Sequence, residues 1–211
     1  MKLKQNIKLK TPFLFIRSLS ALGVLAFLCA GLLPDQAAAA DGRGVQFPFT
    51  IYDEQGSRGN HYCPSGWMGN TRGVKSDEGC TNNPHAGKTC LRVEYAEAAD
   101  WAGIVWQDPA NDWGDQAGGW NLTGAKTLKV WARGEKGGEI VSFKFGVLGA
   151  DKKFSDSAAG ENSDIPLTRE WQEYVIDVTG KDMSCIKTGF VWTVAGQGAP
   201  VVFYLDAVRF E

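Results

Sequence analysis

The sequence is poor in the residue patterns that carry catalysis. Its two histidines, His61 and His85, sit in Gly/Asn-rich stretches without the H-x-x-H spacing of a metalloenzyme, and a lone loop histidine is ordinarily a solvated one. There is no G-x-S-x-G nucleophile elbow and no phosphate-cradling glycine loop. The E-x-D-x-x-E spacing that would set two carboxylates along one strand for retaining glycoside hydrolysis is also missing. These absences remove the common hydrolase and nucleotide-binding classes. They leave open a lyase working through one Tyr, Lys or Arg. No Lys/Arg cluster appears, which speaks against nucleic acid or an anionic membrane as partner. No stretch keeps a 3.6-residue apolar period for three turns, so a helical body is not expected.

What is present begins with a leader. Lys2, Lys4, Lys8, Lys10 and Arg17 precede the apolar run SLSALGVLAFLCAGLL, and alanines 37 to 40 follow it. That order of charge, short apolar run and small residues is a secretory signal peptide, residues 1–40, cleaved before Asp41 or nearby. The run is short for a bilayer span. Ala26-Phe27-Leu28 before Cys29 places bulky residues where a lipoprotein peptidase needs small ones. The leader carries five of the 22 basic residues and one of the 24 acidic ones, so the domain 41–211 has 17 and 23, net −6. An acidic, aromatic, Gly-rich exported domain, secreted or periplasmic and not inserted in the membrane, suits a neutral polar ligand. Four cysteines remain, and export permits disulfides. Cys80 and Cys90 bracket the turn-rich TNNPHAGKT and are the preferred pair, leaving Cys63 and Cys185 by elimination. Neither spacing suits zinc.

Alternating apolar residues separated by turn signals predict eight strands, at 47–52, 89–96, 102–107, 126–133, 139–147, 171–178, 188–195 and 201–210. The fold class is all-β, and a single jelly-roll β-sandwich is the expected architecture. Period-two alternation puts Leu128, Val130 and Ala132 on one face and Lys129, Trp131 and Arg133 on the other. It likewise opposes Val141, Phe143, Phe145 and Val147 to Ser142 and Lys144, and Leu91, Val93 and Tyr95 to Arg92 and Glu94. In the last strand Phe203 and Leu205 fall out of phase with Val208 and Phe210. A β-bulge at Asp206-Ala207 would return both pairs to the core and re-aim the Asp206 carboxylate.

Eight tryptophans are the other conspicuous feature, and four of them lie within WAGIVWQDPANDWGDQAGGW, residues 101–120. Pro109 and the glycines exclude a helical seam. Trp106 alternates with Ile104 and reads as core, whereas Trp120 reads as a cap on the sandwich end. Trp113 divides evenly between capping and ligand contact. An indole plane can stack on the apolar C–H face of a pyranose while nearby polar side chains fix its hydroxyls. WQDPANDW offers that pairing in Trp113 and Asp112, and HYCPSGWMGN offers it in Tyr62 and Trp67. Trp131, Arg133 and Lys144 complete the candidate platform.

Taken together, HYCPSGWMGN, KTCLRVEY, WAGIVWQDPANDWG, GGWNLTGAKTLKVWARGEKGGE, VSFKFGV and VVFYLDAVRFE resemble the galactose-binding-like jelly-roll modules of bacterial secreted proteins, from about Phe47 to Glu211. The resemblance implies a β-sandwich that binds a polysaccharide or oligosaccharide without catalysing its cleavage. It also implies one structural calcium, whose ligands map to Asp53 or Glu54 and to Asp206. The residue after Asp206, often a second acid in similar modules, is alanine here. Two other functions remain open: a protein-interaction module of a periplasmic or surface assembly, and a polysaccharide-degrading enzyme.

Overall fold

In the computed structural model, residues 45–211 are described; the expected leader, its cleavage site and Cys29 lie outside them. Eleven strands and one 3-10 turn make up the regular structure of the described residues. In order they are β1 (Phe49–Tyr52), β2 (Cys63–Gly69), β3 (Val74–Cys80), β4 (Cys90–Tyr95), β5 (Trp101–Gln107), β6 (Thr127–Gly134), β7 (Ile140–Phe145), β8 (Gly160–Pro166), β9 (Gln172–Asp177), β10 (Thr188–Ala195) and β11 (Val201–Phe210). One sheet runs β3-β4-β11-β6-β9, with β1 also paired to β11, and the other runs β2-β5-β10-β7-β8. All the pairings are antiparallel. The result is a jelly-roll β-sandwich.

All eight strands expected from alternation are present, with ends displaced by at most two residues. The three that alternation does not reveal are β2, β3 and β8, and each is the outermost strand of its sheet. Edge strands bury only part of their surface and are kept polar to discourage further pairing. CPSGWMG, VKSDEGC and GENSDIP therefore carry glycines and charges in place of an apolar row.

The core lies between the sheets. Leu91, Val93, Leu128, Val130, Phe203 and Leu205 face Ala102, Ile104, Trp106, Phe143, Phe190 and Trp192, all buried. Rings interlock across the gap in the edge-to-face geometry their quadrupoles favour, Trp192 on Phe203 at 5.4 Å and Phe145 on Phe210 at 5.8 Å. The expected row on β7 ends early, because Gly146 turns the chain with φ 70°. Leu148 is buried in place of Val147.

The bulge in β11 is present. Its register with β6 shifts between Asp206 and Arg209, and Ala207 has φ 47°. Phe203, Leu205, Val208 and Phe210 all reach the core as a result. The bulge also divides one edge of β11 between two partners, β4 along Val201–Leu205 and β1 along Val208–Phe210. A Cβ in the left-handed region is strained by roughly 1–2 kcal/mol. Ala207→Gly is therefore expected to stabilise the fold by up to about 1 kcal/mol, and Ala207→Val to destabilise it by more than that, as read from urea denaturation midpoints.

Candidate functional site

The expected platform is divided between opposite sides of the sandwich. Trp131 and Arg133 lie on β6 and Arg92 and Glu94 on β4, all on the outer face of the first sheet, whereas Lys144 lies on β7 in the second. The first of these faces is covered by the chain itself. Segment 81–89, between β3 and β4, lies across it, and the His85 ring stacks on Trp131 at 3.7 Å and 12°. Arg133 donates to the carbonyl of Asn82 at 2.9 Å and sits 3.6 Å above the Tyr204 ring. Trp171 Nε1 donates to the carbonyl of Asn83 at 2.9 Å. Beneath the segment, Tyr204, Cys80 and Cys90 form a second, small buried cluster. Arg133 is only 7% exposed, so its planar cation is spent on rings and a carbonyl of its own chain.

Asp206 pins the same segment. It is fully buried, and its Oδ2 accepts the N–H groups of His85 (2.8 Å) and Ala86 (3.0 Å), while Oδ1 accepts that of Ala207. Burial raises its pKa, against the pull of those amides. Glu54 Oε1 likewise accepts the N–H of Lys88 at 2.9 Å, and the N–H of Asp53 donates to Asn60 Oδ1. Hydrogen-bond donors, which a cation repels, therefore point at the carboxylates of Asp206 and Glu54. Among the described residues no three His, Cys, Asp or Glu side chains are grouped to hold a metal ion. Asp53, Glu54 and Asp206 as arranged do not fit a calcium site.

In this structure Cys63, Cys80, Cys90 and Cys185 are free thiols, and neither expected disulfide is formed. Cys80 and Cys90 are directly opposed across β3 and β4, as the preferred pairing requires. The Cys90 thiol, however, donates to the Cys80 carbonyl, and burial pushes its pKa up to about 12.

Tyr62 and Asp112 prove to be structural. Tyr62 is buried, and its hydroxyl donates to the Ile186 carbonyl at 2.8 Å. Asp112 forms a buried ion pair with Lys187 at 2.7 Å, both side chains 1% exposed, and caps the N–H groups of Gly114, Asp115 and Gln116. Burial alone would raise the Asp112 pKa; the Lys187 ammonium and the three amides hold it below the usual carboxylate range. This pair ties down the loop after β5. Trp113, next in sequence, is half-buried there. Trp120 caps the sandwich end as expected, tilted on Phe49 and edge-on to His61. Trp67 is 49% exposed, on edge strand β2 opposite the core residue Ile104.

The open surface is the outer face of the second sheet. Register aligns Trp101 with Ala195 across β5 and β10, then Gly103, Thr193 and Ser142, and Val105, Val191 and Lys144, across β5, β10 and β7; Ile140 precedes Val141, the partner of Val194. A shallow groove of about 470 Å³ lies over part of this face, lined by Trp101, Ala195, Ile140, Thr193, Ser142 and Lys144 among others, while Gly103, Val105 and Val191 are buried. Its floor is made of small residues, and two large apolar side chains stand on it, Trp101 at 46% exposure and Ile140 at 44%. Gly103 lies beneath the floor, where Thr193, Met68 and the Trp192 carbonyl leave no room for a Cβ. Polar groups surround the apolar ones. Asp164 projects from a bulge in β8 with φ 53°, its N–H held by Ser142 Oγ at 3.0 Å. Strained non-glycine positions of this kind are often found at binding sites. Lys144 pairs with Glu161 at 2.7 Å, lowering the Glu161 pKa, so the two charges offset each other. Gln197 clamps the start of β7 by donating to the Ile140 carbonyl and accepting its N–H.

Of the residues named from sequence as ligand contacts, Lys144 alone lines this groove. Trp101 was legible in principle, because Ala102, Ile104 and Trp106 alternate into the core and so turn Trp101 outward. Ser142 was placed on an outer face. Asp164 could not be found, since β8 carries no alternation.

No protein-family model matches the chain, and no curated protein matches it. Solved structures do. The family 30 carbohydrate-binding module of the cellulosomal cellulase Cel9D-Cel44B of Clostridium thermocellum aligns with a TM-score of 0.51 at 14% identity, covering 77% of this chain and 96% of the module. The family 11 carbohydrate-binding module of the cellulosomal cellulase Lic26A-Cel5E of the same organism aligns with a TM-score of 0.50 at 14% identity, covering 76% and 92%. An agarase aligns with a TM-score of 0.50 at 11% identity, over 77% of this chain and 26% of the agarase. At these identities the likeness is one of fold: the chain has the β-sandwich fold of carbohydrate-binding modules.

Breaking the buried pair by Asp112→Ala is expected to cost about 3–5 kcal/mol, because Lys187 is left charged and uncompensated. The pH dependence has a definite sign. The folded pKa of Asp112 is depressed, so its contribution is complete above the ordinary carboxylate range and is lost as pH falls through the lower, folded value. Chemical denaturation across acidic pH should show wild type losing stability in that window and Asp112→Ala losing less.

Proposed function

We propose that this chain is an exported, non-catalytic carbohydrate-binding domain that holds a neutral polysaccharide or oligosaccharide in the groove on the β2-β5-β10-β7-β8 sheet. The observation that carries this reading is the half-exposed Trp101 indole standing beside a floor of Ser142, Thr193 and Ala195. A flat aromatic surface over small side chains leaves room for a sugar ring and offers its C–H face an apolar partner. Asp164, Ser142 and Thr193 supply the acceptors and donors that hydroxyls need. Fold likeness to carbohydrate-binding modules supports the same class. Charge supports a neutral ligand: Lys144 is offset by Glu161, Asp164 adds a negative charge, and the domain 41–211 is acidic overall.

The test is affinity electrophoresis in gels containing soluble glucans, mannans, galactans or agarans, with alginate and pectate as polyanionic controls. A neutral glycan is expected to retard the protein and the polyanions are not. Trp101→Ala should cost about 2 kcal/mol or more, roughly thirtyfold in Kd. Trp131→Ala should leave retardation unchanged while lowering stability by about 1–2 kcal/mol through loss of the His85 stack. Retardation in no gel would overturn the reading in favour of a protein partner. Release of reducing ends or unsaturated products from any of these glycans would overturn its non-catalytic part.

A further inference from the structure

The backbone of Trp101, whose side chain lines the groove, adjoins a second depression through Asn70 and Asp100. Its carbonyl accepts the N–H of Asn70 at 2.8 Å, and its own N–H donates to Asp100 Oδ1 at 2.9 Å. Beside it the chain leaves β2 through Gly69, which has φ 70°. A Cβ on Gly69 would clash with the Trp101 carbonyl and reach within 3.0 Å of ring atom Cδ2. The absence of a side chain at Gly69 therefore lets the indole lie down toward the sheet edge. Beyond it is a basin of about 490 Å³ lined by Gly69, Asn70, Thr71, Arg72 and Asp100.

The two depressions differ in chemistry. The groove sets two large apolar side chains among polar ones, whereas the basin is polar throughout and holds one charge of each sign, Arg72 and Asp100, on exposed side chains. The 3-10 turn Thr71–Gly73 sets the backbone at Arg72, its N–H bonded to Asn70 Oδ1, and leaves the side chain exposed. Guanidinium and carboxylate together can donate to and accept from vicinal hydroxyls, and no ring is present to stack on. Such a site would bind a sugar weakly alone but would add to one already anchored on Trp101.

We propose that the Asn70–Arg72 and Asp100 basin is a second saccharide subsite, reached by a chain that crosses Trp101 from the groove. The inference rests on the glycan reading above. It makes Arg72 and Asp100 contacts for the distal sugar and Gly69 the residue that positions the ring between the two subsites. Because both depressions are open, the ligand is an extended run of neutral sugars and not a single terminal unit.

The experiment is isothermal titration of the whole chain with cello-, manno- and agaro-oligosaccharides of two and six residues. For the series that binds, the hexasaccharide is expected to bind at least tenfold more tightly than the disaccharide. Arg72→Ala should weaken the hexasaccharide by about tenfold, the size of one charge-assisted hydrogen bond, and leave the disaccharide unchanged. Arg72 is exposed, so its melting curve should match wild type. Equal affinity for both lengths, or an Arg72→Ala variant equal to wild type with the hexasaccharide, overturns the subsite while leaving the glycan reading standing. Failure of every oligosaccharide and every polysaccharide to bind overturns both.

Discussion

In β11, Asp206 is followed by an alanine held in the left-handed region, and this one extra residue sets the pairing and the covering of the first sheet. It keeps Phe203 and Leu205 in the core together with Val208 and Phe210. It also splits the edge of β11 between β4 and β1. The Asp206 carboxylate is thereby aimed at two backbone amides of segment 81–89, and that segment covers Trp131 and Arg133 on the outer face of the sheet. A buried carboxylate is tolerable only where donors surround it, and here the donors come from the segment that must be held.

The two outer faces consequently follow opposite plans. On the β3-β4-β11-β6-β9 sheet, Trp131, Arg133, Tyr204 and Trp171 take their partners from within the chain, a stacked histidine and carbonyls of Asn82 and Asn83. Their partners resemble those a ligand would offer, a flat ring and polar oxygens, but the chain supplies them. On the other sheet Trp101 and Ile140 keep nearly half of their surface in water over a floor of small residues. It is this exposed pair, above small polar side chains, that the proposed glycan reading uses. The loop after β5 has been taken out of contention by the Asp112–Lys187 pair, which spends its most promising polar residue on the fold.

The groove could be read from sequence only in fragments. Alternation in central strands reflects burial on one side, so Ser142 and Lys144 were correctly turned outward, and the same rule turns Trp101 outward. Asp164 belongs to an edge strand, where burial imposes no period, and is invisible to that rule. The platform of Trp131, Arg133 and Lys144 joined residues of like orientation without knowing that β6 and β7 belong to different sheets. Side-chain alternation gives a face relative to the strand's own core. It carries no label for which sheet that face belongs to.

The sequence by itself determined the all-β class, eight of the strands, the identity of the core rows and the bulge at Asp206-Ala207. Each of these follows from local periodicity and from the need to keep apolar residues dry. Tertiary structure alone decided which aromatic rings are wet. That depends on whether a segment remote in sequence returns to cover them, as His85 does for Trp131, or passes elsewhere, as at Trp101. Covering is a non-local contact that strand spacing does not encode.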